Sequence, residues 1–294
     1  MAILLFGALF ALNCIDKFSA KKLQIGMEFD MPRIVAANTV NTVLAVVFYL
    51  ITLKFELYFE PKMELLSGIY GILCFAGLVL AIILYKHVSI PLAAIIVTSA
   101  SITGSSVFGY VVLKEHVTAA RVVAAALVIL AVVLPGVEGL KGKNKMKKSD
   151  LLFCVFYFVF CVITNIFGTV YVAFPDMDGG QYCMHVNIYI LVVCAVVAGY
   201  LILSGKSKLR AMAHSLTLSQ TGILGIRSCM SQSMNLCIIA LVAIIPITMY
   251  NIINCSLSMI AAVAVSLIYY REKMTFTQAV SLVFLVAATG LSSM

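Results

Sequence analysis

The chain has 294 residues, of which 63% are apolar and 11% charged, and its mean hydropathy is +1.11. A soluble domain runs about 45–50% apolar and about 25% charged, so this composition excludes one and describes a polytopic membrane protein. The formal charge of +8 sits in short connectors between apolar runs rather than on one folded face, which argues against a nucleic-acid partner and makes the charges topology signals.

Taken in chain order, apolar runs bounded by charged or turn residues predict ten helices, at 2–17, 34–53, 65–85, 91–113, 119–137, 151–173, 183–203, 217–240, 246–270 and 276–293. A span needs about 20 apolar residues, so ten spans with their connectors use the whole chain and leave no length for a soluble domain. The runs are continuous rather than alternating, and in lipid only helices and closed barrels satisfy the backbone, so the expected fold class is all-α. The run from Met1 to Leu12 lacks a basic n-region, and Leu12-Asn13-Cys14 is a poor lipoprotein cleavage box, so it is read as a retained first span. The nine cysteines include no C-x-x-C and lie almost entirely within apolar runs, as small reduced packing residues do. Neither a metal nor a cofactor is expected.

The chain also repeats itself. Gly68-Ile69-Tyr70-Gly71-Ile72-Leu73 is matched by Gly222-Ile223-Leu224-Gly225-Ile226-Arg227 and Ile90-Pro91 by Ile245-Pro246. Lys114-Glu115-His116-Val117-Thr118 is matched in turn by Arg271-Glu272-Lys273-Met274-Thr275. The three matches come in the same order at nearly the same interval. They predict a five-helix repeat over 1–138, a basic connector over 139–149 and a second repeat over 150–294. Five is odd, so the second copy enters the membrane in the opposite orientation, which is the inverted-repeat architecture of secondary transporters.

With these motifs the chain resembles the drug/metabolite transporter superfamily, in particular its ten-helix, EamA-type members. The resemblance spans essentially the whole chain. It rests on a short first helix with Asn13 and Lys17, on Arg33 at the start of the second and on Ile-Pro opening the fourth and ninth. Its most specific element is the basic-Glu-x-x-Thr turn before the fifth and tenth. The family's usual aromatic-Gly pair in the first helix is absent, Phe6-Gly7 being the nearest match. The resemblance implies that the fifth and tenth helices pack peripherally or at a dimer interface, and that the solute is a small organic metabolite. The protein is expected as a monomer or homodimer in a plasma or bacterial inner membrane.

Of the 20 Lys and Arg, 15 fall on the side of the connectors after the first, third, fifth, seventh and ninth helices. The positive-inside rule places that side in the cytoplasm and both termini outside. The family resemblance implies both termini inside.

Polar side chains within spans face a cavity or the bundle interior, so they mark the substrate path. At 100° per residue, Ser99, Thr103, Ser106 and Tyr110 fall within about 60° on the fourth helix, and Tyr250, Asn251, Asn254 and Ser258 within about 100° on the ninth. On the eighth, Gln220, Arg227, Ser231 and Asn235 share about 80°. A structural alternative is that the Ser and Thr hydroxyls bond their own backbone and line small helix contacts. Arg227 lies roughly 12–15 Å along its helix. It has three readings: anchoring a substrate carboxylate or phosphate, snorkelling to the basic side, or pairing with Asp16. Asp16, next to Lys17, is a proton-coupling candidate or an interfacial ion-pair member. Asn13, Asn38, Asn41, Thr42, Tyr49 and Asn165 are further cavity candidates. His185 is a second coupling candidate, with an interfacial histidine as its plainer reading.

The expected function is secondary active transport of a small organic solute, by alternating access and with proton or solute counter-transport. Amino-acid-like or other carboxylate-bearing solutes are expected, with export as the expected direction. The alternatives are export of lipophilic cations or drugs, and a passive channel or flippase-like protein. No G-x-x-x-x-G-K-[ST] loop is present to bind ATP. An intramembrane enzyme is not expected, since the chain offers neither a carboxylate pair nor a Ser-His arrangement.

Overall fold

The computed structural model describes residues 2–26, 30–87, 90–115, 118–141, 148–174, 176–206, 215–269 and 276–292. Among these, ten α-helices and one 3-10 turn occur, and no strand. The helices are α1 (Ala2–Gly26), α2 (Met31–Thr52), α3 (Pro61–His87), α4 (Ile90–Val111), α5 (Ala119–Lys141), α6 (Lys148–Thr169), α7 (Gly179–Leu203), α8 (Leu218–Val242), α9 (Ile247–Ile268) and α10 (Phe276–Ser292), with the 3-10 turn at Val170–Ala173. Five of them, α2, α3, α6, α7 and α8, carry a window long and apolar enough to cross a membrane.

All ten helices expected from the apolar runs are present, and the differences lie at their ends. α1 runs nine residues past the end of its apolar run, to Gly26. Hydropathy marks where a helix meets lipid, whereas the helix itself continues through any residues that keep its backbone bonds, and Lys21 and Lys22 are good helix formers. α7 starts four residues before its apolar run because Asp178 caps it, accepting from Gln181 N at 2.7 Å. α2 starts in the same way, with the Asp30 carboxylate accepting from Arg33 N at 3.1 Å and Pro32 in the first turn. It ends where Lys54 and Phe55 turn left-handed, at φ 52° and 62°, and Phe55 N bonds back to Leu50 O.

The described helices form two compact units, each drawing on both halves of the sequence. The first comprises Met1–Phe6, Gly77–Ala173 and Leu241–Met294. Within it α5 packs on α10, α9 packs on both α4 and α10, and α4 also meets α5 and α6. Its core is built largely from small and β-branched residues, among them Ile102, Ala124, Val128, Ala131, Ile252 and Ala288. Alanines let α5 and α10 approach closely, as helices must where lipid removes the hydrophobic drive to associate. Ser256 Oγ, on α9, donates to Leu285 O of α10 at 3.1 Å.

The second unit comprises Gly7–Ala76 and Phe174–Ala240. Here α2 packs on α7, and α3 crosses α7 at Gly71. A Cβ there would sit 2.8 Å from Tyr189 Cβ and 3.1 Å from Val186 O, so only glycine permits the approach. Tyr70 and Tyr182 stack across the same contact, with centroids 6.2 Å apart and planes 8° from parallel.

Candidate functional site

The polar residues marked by the sequence divide between the two units. Asn13, Asp16, Asn38, His185, Arg227, Ser231 and Asn235 belong to the second; the α4, α6 and α9 candidates belong to the first.

In the second unit, Asp16 of α1 and Arg227 of α8 form an ion pair, with Arg227 Nε 3.0 Å from Asp16 Oδ1. Asp16 is 13% exposed and Arg227 43%. Of the three readings of Arg227, the ion pair is the contact observed. Asp16 lies ten residues before the end of α1 and Arg227 ten residues into α8, so both charges sit well inside their helices. The pair uses Nε of the guanidinium. Polar contacts continue around it. Ser228 Oγ donates to Asn41 O of α2 at 2.8 Å, and Asn235 Nδ2 donates to Gln232 Oε1 at 3.1 Å. Asn13 is buried and turns its amide back to Leu9 O. Thr39 and Thr42 likewise bond the backbone one turn earlier, the structural alternative noted for such residues. Ser231 and Asn38 are half-buried.

A second polar cluster in this unit joins α3 to α7. Glu64 Oε1 lies 2.7 Å from His185 Nδ1, and Glu64 Oε2 accepts from Tyr189 OH at 2.9 Å. His185 is 1% exposed, Glu64 is 25% exposed, and Nε2 of the imidazole has no hydrogen-bond partner among the described residues. Phe59 meets the imidazole edge to face, with centroids 5.1 Å apart. Sequence reasoning singled out His185 and missed Glu64, which lies in the first turn of α3, just before the predicted start of the apolar run. The available signal was the spacing of His185 and Tyr189, four residues apart on one face of α7. Nearby, a cleft of about 480 Å³ is lined by Thr52, Leu53, Lys54, Glu56, Tyr58, Asp176, Asp178 and Gln181. Gln181 Nε2 donates to Glu56 O at 2.6 Å, while its Oε1 is buried without a partner.

In the first unit, Asn165 of α6 accepts from Ser101 Oγ at 2.9 Å and returns its amide to Cys161 O. Gly104 permits that crossing, since a Cβ there would lie 2.8 Å from Val162 O. Ser99 is buried with no hydroxyl partner among the described residues, whereas Thr103, Ser106 and Tyr110 are half-buried. On α9, Tyr250 and Asn251 are buried and Asn254 and Ser258 half-buried. Asn251 Nδ2 bonds Ile247 O of its own helix, so part of this stripe is satisfied locally. The basic-Glu-x-x-Thr turn has a structural role here. Glu115 Oε1 accepts from Ile247 N at 2.9 Å and Oε2 from Thr248 Oγ1, at the start of α9. Pro246 gives that helix no side-chain cap, and Glu115 supplies one from the turn after α4. The second copy of the motif, 271–275, lies outside the described residues.

No family model matches this chain, and no curated protein does. A solved structure described only as a crystal structure of a protein is similar over 99% of this chain and 96% of its own, with a TM-score of 0.61 at 12% identity. That likeness concerns the fold alone.

Proposed function

We propose that the chain is a secondary transporter of small carboxylate-bearing metabolites, of the EamA type within the drug/metabolite transporter superfamily, with ten spans arranged as two inverted five-helix repeats. The observation that carries this reading is the Asp16–Arg227 pair, held well inside two helices of a chain that is 63% apolar. Intramembrane charges are costly and tend to mark substrate or ion pathways. Asp16 holds the guanidinium through Nε, and bidentate pairing with a carboxylate is the recognition that arginine serves best. The inverted repeat is supported by helix pairing: α2 packs on α7, α4 on α9 and α5 on α10, each helix meeting its counterpart five places along. Alternating access then consists of one bundle rocking against the other.

The test is a thermal-unfolding screen with a thiol-reactive dye, which the nine free cysteines permit. Amino acids, organic cations, nucleosides and sugar phosphates are added to the wild type and to Arg227→Ala. A ligand stabilises the folded state by about 2.7 kcal/mol at a hundredfold excess over Kd. Carboxylate ligands are expected to raise Tm of the wild type only. Equal stabilisation of both proteins by cations would replace this reading with export of lipophilic cations, which Glu64, a second carboxylate within a helix, favours. A channel or flippase-like activity is separated by counterflow, since only a carrier accelerates exchange of labelled for unlabelled solute.

A further inference from the structure

We propose that Glu64, His185 and Tyr189 form the site at which the carrier binds and releases a coupling proton. The proposal rests on the transporter reading, and deepens it by naming the coupling ion and its seat. The geometry carries the argument. A carboxylate oxygen 2.7 Å from a buried imidazole nitrogen, with a tyrosine hydroxyl donating to the other oxygen, is an arrangement that can hold one proton more or fewer. The added proton comes from water and resides on His185 Nε2, making an imidazolium that pairs with Glu64, to which Nδ1–H is donated in both states. On release it returns to water and the carboxylate keeps the Tyr189 hydroxyl. No other bond changes.

Asp16 is less suited to this task. It faces the permanent charge of Arg227, and protonating it would strand that guanidinium without a counter-charge. His185, by contrast, pairs with Glu64, and among the described residues its buried Nε2 has no hydrogen-bond partner. The unit also provides a way in. Glu64 is one quarter exposed, and Gln181, one turn before His185 on the same face of α7, lines the cleft that holds Glu56, Asp176 and Asp178.

Other titratable groups on the neighbouring elements have contacts of their own. On α3, Lys62 Nζ sits 3.4 Å from the centre of the Phe174 ring. On α7, Tyr182 stacks on Tyr70 and Asp178 caps the helix. On α2, which packs against α7, Tyr49 is fully buried. Among the described groups named here, Glu64 and His185 bring an acid against a base.

Two measurements on the full-length protein test the site. In proteoliposomes, the ¹⁴C-labelled L-amino-acid mixture is followed both as counterflow and as accumulation driven by a one-unit pH gradient, which one-to-one coupling sustains to about tenfold. Glu64→Gln is expected to keep counterflow and lose that tenfold accumulation. In parallel, ¹⁵N-histidine spectra are titrated, with His185 assigned by its loss in His185→Asn. The His185 signal is expected to titrate in the wild type and to shift its midpoint in Glu64→Gln. Accumulation by Glu64→Gln equal to that of the wild type, loss of counterflow together with accumulation, or a His185 titration indifferent to Glu64 would each overturn the proposal. Absence of wild-type counterflow would overturn the transporter reading, and the coupling role with it. A Glu64-dependent titration would then still place the proton on the pair, so the two failures are distinguishable.

Discussion

At the scale of single residues, the Asp16–Arg227 pair sets the sharpest expectation. Removing one member leaves the other charged, far along an apolar helix, with no counter-charge; removing both leaves neither problem. Loss of one partner of a fully buried pair costs about 3–5 kcal/mol. Arg227 is 43% exposed, so about 1–2 kcal/mol is expected here once that exposure is discounted. Arg227→Gln or Asp16→Asn alone should therefore lower Tm more than the double substitution does, and additive losses in a double-mutant cycle would show that the two side chains do not interact. The sequence marked both residues but left their pairing among several readings, because the apolar run ended at residue 17 and Asp16 looked terminal. In the folded chain α1 continues to Gly26, which places Asp16 well inside the helix, where it can meet an arginine ten residues into α8. Glu64 was missed for a related reason: it precedes an apolar run, and only the α3–α7 crossing at Gly71 brings it to His185. Contacts between helices distant in sequence leave no periodic trace within either helix.

Elements show the complementary pattern. Long runs of apolar residues made every helix legible, since in lipid nothing else satisfies so many backbone groups. Helix ends were less so, because caps such as Asp178 and Asp30 are polar residues that a hydropathy window discards. The least legible cap is that of α9. Its own N-cap residue is proline, and the carboxylate that receives Ile247 N and Thr248 Oγ1 belongs to Glu115, far back in the sequence. The motif that suggested the family thus links the end of α4 to the start of α9, two helices that pack on each other. Glu115→Ala removes both bonds and the negative charge at a helix N-terminus, and should cost about 1–2 kcal/mol, seen as a lower Tm. Glu115→Gln retains an acceptor oxygen and should recover about half of that loss. An alanine variant as stable as the wild type would show that the carboxylate does not cap α9. The Gly109 backbone beside Glu115 leaves little room for rearrangement, since a Cβ there would lie 3.0 Å from Glu115 Oε2 and 2.6 Å from the Thr248 methyl.

For the whole molecule, the question is how the chain threads the bilayer. Contacts within the second unit bear on it. Gln181 Nε2 bonds Glu56 O, and Lys62 reaches Phe174, so the α2–α3 and α6–α7 connectors meet at one end of that unit. Ten alternating spans require these two connectors to share a side. The same alternation makes α1 and α8 antiparallel, with the Asp16 and Arg227 positions at matching depth about 13–15 Å from the nearer helix end. An odd repeat further requires both termini on that same side and the Lys-rich stretch between the halves on the other. Reporter fusions at Met294 and within 142–147 should therefore give opposite signals, whatever the absolute orientation. Matching signals would remove the inverted repeat, and with it the rocking mechanism. Under the proposed ten-span arrangement, 15 of the 20 Lys and Arg would share the side of the Lys-rich connector, and the positive-inside rule then predicts that reporter in the cytoplasm and the one at Met294 outside. The reverse assignment would favour the orientation implied by the family resemblance, and the proton cluster near the α2–α3 end would then open to the cytoplasm rather than to the exterior. Since a coupling site must exchange its proton with both compartments during the cycle, either orientation leaves Glu64 and His185 a role. The reporter decides which compartment their end of the unit faces, and so which side's pH the ¹⁵N-histidine titration should track in oriented membranes.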